Sequence, residues 1–89
     1  MTLQNLRVIT ETGSTYTFNE RGICTKHDAS GVGVDAFKLY VAKAVPDSVS
    51  SMEEIYALPE SEPEVGKRLY VGGKDGWWLS TLVVSVEKF

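Results

Sequence analysis

Residues 67–86, KRLYVGGKDGWWLSTLVVSV, constrain the fold of this chain more than any other stretch. Two apolar runs, 68–71 and 77–86, flank the glycine-rich linker 72–76. Valine, threonine, tyrosine and tryptophan pack well on a pleated surface and lose side-chain freedom in a helix, so both runs predict strands. Glycine reaches positive φ without steric cost, and this linker suits a hairpin with a bulge or a longer turn. Strict alternation puts Trp78, Ser80, Leu82, Val84 and Val86 on one face and Trp77, Leu79, Thr81, Val83 and Ser85 on the other. Both faces are largely apolar, as in a barrel strand covered on both sides. The adjacent tryptophans then point opposite ways. One is expected in the core, where full burial contributes about 2–3 kcal/mol. The other is expected toward solvent, a loop or a partner.

The first half of the chain predicts an antiparallel meander. Residues 6–11 (LRVITE) read as a strand and 12–14 as a turn. In 15–18 (TYTF) polar and aromatic residues alternate, so Tyr16 and Phe18 should face the core. Residues 19–22 form a second turn and 23–26 a third strand, followed by loop-like composition as far as 36. Residues 37–42 return to strand character, but their apolar positions break phase, which implies a bulge or two covered faces. Pro46 ends that run. In 48–58 (SVSSMEEIYAL), Ser50 or Ser51 can cap a short helical turn, with Glu53 and Glu54 near the positive end of its dipole. Met52, Ile55, Tyr56 and Leu58 would form its apolar side, and Pro59 would stop it. Residues 60–65 read as an extended connection. The expected fold is one mainly β domain over residues 1–89: a small, partly open antiparallel barrel, SH3-like or OB-like, with one short helical turn. About five to six strands follow from one strand per β-run.

Charge is unevenly placed. The chain carries nine basic and twelve acidic residues, a net charge of −3, which disfavours nucleic acid and anionic membrane as partners. Six of the acids (Asp47, Glu53, Glu54, Glu60, Glu62, Glu64) fall in the insert 44–66, which holds no lysine or arginine. The rest of the chain has nine basic against six acidic residues. There is no apolar run long enough for a transmembrane helix, and the first residues lack a basic-then-apolar leader, so neither a membrane span nor a secretory signal is expected. The single cysteine, Cys24, cannot form an internal disulfide and fits a reducing cytoplasm.

The motifs that could carry chemistry are weak. Residues 31–36 (GVGVDA) match the letters of a dinucleotide-binding turn, but strand-like sequence follows where a helix is required. Cys24, His27 and Asp28 supply too few ligands for structural zinc. A Cys24–His27 nucleophile pair would need a geometry that neighbours in a strand rarely reach. Glu53 and Glu54 are adjacent and diverge on a helical turn, so they make no acid–base pair. No catalytic residue, cofactor or metal is assigned.

Three readings remain, in descending order. The first is a non-enzymatic module that binds a protein partner or itself. Its surface would be drawn from Tyr70, Trp77 and Trp78, from the acidic Glu60, Glu62 and Glu64, or from an unpaired strand edge. The second is a small nucleic-acid- or nucleotide-binding barrel, stacking bases on Tyr40, Tyr70, Trp77 or Trp78 beside Lys67, Arg68 and Lys74. The third is a small enzyme built on Cys24 and His27.

Both chain ends carry a resemblance. Residues 8–18 (VITETGSTYTF) and 78–87 (WLSTLVVSVE) resemble small, uncharacterised β-barrel-like proteins of actinobacteria and their bacteriophages. Those open with a V-x-T-x-S-G-S-x-Y strand–turn–strand and close with a T-S-x-V-x-x-V strand. This chain has Thr12 where that pattern has serine, and neither the Gly31 loop nor the acidic insert takes part. The family has no established activity, so no functional residue is carried over. The resemblance implies a cytoplasmic accessory protein, acting in the host cytoplasm if a bacteriophage encodes it.

Overall fold

Six strands and one short helix make up the computed structural model, which describes residues 4–27, 37–73 and 76–89, with 37–40 as backbone. They are β1 (Leu6–Thr10), β2 (Thr15–Phe18), β3 (Ile23–His27), β4 (Phe37–Val45), α1 (Met52–Ala57), β5 (Arg68–Gly73) and β6 (Gly76–Lys88). Every pairing is antiparallel. Each strand lies beside its neighbours in the chain, and β6 returns to β1, so the ring of pairs closes. The order is sequential, an up-and-down arrangement rather than the Greek key of the OB-fold. No helix among the described residues is long and apolar enough to cross a membrane.

Among the described residues the ring is thinnest between β3 and β4, where Ile23↔Lys38 and Cys24↔Phe37 are the pairs in register. Beyond that point β4 would show a bare edge. The acidic insert covers part of it: the Ser61 amide donates to the Ala42 carbonyl at 3.0 Å, and the Ala44 amide donates to Ser61 Oγ at 2.8 Å. Pro63 is buried in the same connection. This segment is therefore part of the wall and not merely a solvated loop, because backbone groups at a sheet edge need partners.

Local sequence explains the turns and the helix. Between β2 and β3, Asn19 Oδ1 accepts from the Arg21 and Ile23 amides at 2.8 and 3.0 Å, a side-chain turn that asparagine forms readily. Ser51 caps α1 by accepting from the Glu54 amide at 3.2 Å. The helix ends at Ala57, two residues before Pro59. The phase break expected in β4 is a register shift between Leu39 and Val41.

β6 departs from the strict alternation that the sequence suggests. Its first half pairs with β5 and its second half with β1, and each pairing carries a register shift. Arg68 faces Leu82 while Tyr70 faces Leu79; Val8 faces Val86 while Thr10 faces Val83. The extra residues turn the strand from one sheet into the other. As a result Val83 is fully buried, whereas Val84, expected beside Leu82 and Val86, is exposed. At the first shift the Leu69 amide donates to Ser80 Oγ at 2.8 Å, a side-chain substitute for the broken ladder.

The barrel interior takes residues from all six strands: Leu6, Val8, Tyr16, Phe18, Cys24, Ala42, Leu69, Val71 and Val83. Tyr16 and Phe18 sit inside as their alternation requires. A second apolar layer covers the outer face of β4 and β5, where Val45 and Tyr70 meet Ile55 of α1, with Val41, Val49, Met52, Leu58 and Leu79 around them. Lys43 lies in this layer, 7% exposed, and its ammonium donates to the Ile55 and Tyr56 carbonyls at 3.0 Å each. Those carbonyls belong to the last turn of α1, where the Leu58 amide also donates to the Ile55 carbonyl at 3.1 Å.

Candidate functional site: an aromatic strip on the outer sheet

Tyr70 is the centre of the outer layer. It shares a face of β5 with Gly72, and their partners on β6 are Leu79 and Trp77. The Tyr70 ring stacks on Trp77 with centroids 6.1 Å apart and planes at 27°. On its other side Tyr56 of α1 meets it edge-on, at 6.4 Å and 82°. Gly72 makes the stack possible. A Cβ there would stand 2.9 Å from Val41 Cγ1 and 3.3 Å from the Tyr70 hydroxyl, so any side chain would compete with the ring for space.

Only the centre of this strip is buried. Tyr70 is 6% exposed, whereas Trp77 is 49% and Tyr56 59% exposed. Burial first, and the neighbouring Tyr56 second, raise the Tyr70 phenol above its ordinary pKa of 10.0. The face is thus a ridge of three packed rings with two of them open to water.

The insert 44–66 that carries Tyr56 is acidic. Glu53, Glu54, Glu60 and Glu62 are exposed. Glu64 pairs with Lys67 at 2.5 Å. The other bases bordering the insert are turned inward: Lys43 holds the helix carbonyls, and Arg68 donates to the Val49 carbonyl while its Nε is buried.

Of the sequence-predicted residues, Tyr70 and Trp77 come together, and Trp78 does not join them. Trp78 faces Val71, on the inner side of the sheet near the barrel mouth, where Lys26 Nζ sits 4.6 Å from its ring centroid. The expectation of one core tryptophan is corrected: Trp78 is 37% exposed, so neither tryptophan is in the core. The inward side of β6 reaches the rim there, and the interior is already filled by Tyr16, Phe18 and Leu69.

Of the rings considered for base stacking, Tyr70 and Trp77 share one face and Trp78 lies on the other, and Arg68 is engaged with Val49; the side chain of Tyr40 lies outside the described residues. Lys74, Asp28 and the GVGVDA stretch 31–36 lie outside the described residues. Cys24 and His27, three apart in β3, fall on opposite faces. Burial pushes the Cys24 thiol up to about 12, so at neutral pH it is a protonated core group. No group of three His, Cys, Asp or Glu among the described residues could hold a metal ion.

Sequence reasoning placed Tyr56 on the buried side of the helix. The structure buries Ile55 and turns Tyr56 outward against Tyr70. In a helix of six residues the apolar period has too few repeats to separate the two. No family model, curated protein or solved structure matches this chain.

Proposed function

We propose that the chain is a non-enzymatic binding module that docks another protein on the Tyr56–Tyr70–Trp77 ridge. One observation carries this reading: two large rings are held half in water by packing on a third that is buried. Exposed aromatic rings that are already ordered lose little entropy on association, and tyrosine and tryptophan dominate the energetics of many interfaces. Stacking on Tyr70 and the close approach at Gly72 supply that order. Glu60 and Glu62, exposed on the wall segment, would set the charge of the approach.

The test compares the wild-type chain with a Tyr56→Ala/Trp77→Ala double variant in affinity capture from the native extract, with sedimentation at rising concentration to detect self-association. A protein retained by the wild type and lost from the double variant supports the reading. Identical capture by both overturns it. Self-association that depends on the two rings would make the partner a second copy.

A further inference from the structure

We infer that the ridge takes an arginine-rich segment of its partner. This rests on the binding reading above and adds the chemistry of what is bound. Three features point the same way. First, the insert that carries Tyr56 holds six acids and no base, and the bases at its borders are spent internally: Lys43 on the helix carbonyls, Lys67 on Glu64, Arg68 on Val49. Second, Glu53 lies three residues before Tyr56 on α1, so carboxylate and ring are neighbours on the helix surface. Third, two other exposed rings carry the molecule's own cations. Lys26 sits over Trp78 at 4.6 Å and Arg7 over Phe89 at 5.5 Å. Among the described residues, Tyr56 and Trp77 have aromatic partners only.

A guanidinium suits this surface better than an ammonium. It is planar and weakly hydrated, so it can lie flat on a tryptophan or tyrosine face while its fork of donors meets a carboxylate. Lysine offers a strongly hydrated point charge with no preference for the ring plane. The glutamates would speed encounter and the rings would select the head group.

The probe is a fluorescein-labelled peptide of alternating arginine and glycine, with a lysine–glycine peptide of equal length and charge beside it. Anisotropy titrations at low and at physiological salt are run on the full chain. The arginine peptide should bind more tightly than the lysine peptide at both salts. Trp77→Ala and Tyr56→Ala should each weaken binding by about tenfold. Glu53→Gln/Glu60→Gln/Glu62→Gln should weaken it by a similar factor and flatten its salt dependence. Tyr56 is an exposed helix position and alanine is a good helix former, so that variant keeps the test informative even if Trp77→Ala disturbs β6. Equal affinity for the two peptides, indifference to both ring variants, or no binding overturns the arginine assignment. If the arginine peptide fails while protein capture still depends on Tyr56 and Trp77, the docking ridge stands and only its proposed ligand falls. If capture ignores the rings as well, both fall.

Discussion

The apolar layer inside the ring and the one outside it are built on different plans. Inside, all six strands contribute, and Val8, Phe18, Cys24, Leu69 and Val71 are fully buried. Losing one contact there is felt around the whole closed ring. Outside, the layer draws on β4, β5, β6 and one six-residue helix with its flanks, and its margin is wet. A helix this short has little stability of its own, so it holds only while Ile55 stays packed and Lys43 bonds its last carbonyls. The lesson is a division of labour. The interior is closed from water, while the outer layer leaves Tyr56 and Trp77 exposed at its margin. Regions with few buried contacts are where binding surfaces are commonly found.

The sharpest way to break this comparison is Phe18→Ala. A fully buried phenylalanine truncated to alanine costs about 3–5 kcal/mol, a large part of what a domain this size has. Denaturant unfolding should show that loss, and a cost below that of outer-layer changes would reverse the ranking of the two layers.

Alkaline titration probes the interior, with Tyr70 of the outer layer shifted in the same direction. Burial holds Cys24 at about 12 against an ordinary 9.0, and burial with the nearby Cys24 holds Tyr16 at about 12 against 10.0. Both are neutral when protonated, and the unfolded chain releases these protons first. Their contribution is therefore complete below pH 9.0 and is lost as pH rises through 9.0 and 10.0 toward 12. Stability should fall by about 1.4 kcal/mol per pH unit for each group in its window. Cys24→Ala should remove the part of the slope that begins first. A flat profile to pH 11 would mean that the interior is open to water (about one to two units above the ordinary values).

A smaller and more local effect is expected of Lys43→Ala. It removes the ammonium donor from the Ile55 and Tyr56 carbonyls; Ile55 keeps the Leu58 amide, so the cost is about 1–3 kcal/mol for the Tyr56 carbonyl left unsatisfied. Amide exchange should quicken in α1 while the interior amides of β1 and β2 keep their protection. Equal acceleration in both places would show that the two layers unfold as one.

Much of the wall was legible without coordinates, and the reasons are local. Tyr16 and Phe18 alternate with threonines in a four-residue strand, so only one face could be buried. Ser51 stands three residues before Glu54, a recognisable helix start. β6 defeated the same logic because both its faces are apolar, and nothing in LSTLVVSV marks where a residue is skipped. The two register shifts that put Val83 inside and Val84 outside arise from closing the ring, a demand no local pattern carries.

The ridge divides along the same line. Tyr70 and Trp77 could be named from their strands, since paired strands bring aromatic residues face to face. The opposite aim of Trp77 and Trp78 also follows from alternation, but the union with Tyr56 and the diversion of Lys43 and Arg68 to backbone carbonyls do not. Short-range propensity and alternation determined which segments become strands, turns and helix, because those forces act between neighbours in the chain. Which rings end up wet, and which charges are left unspent, was decided only when β5, β6 and the insert came to share one face of the sheet.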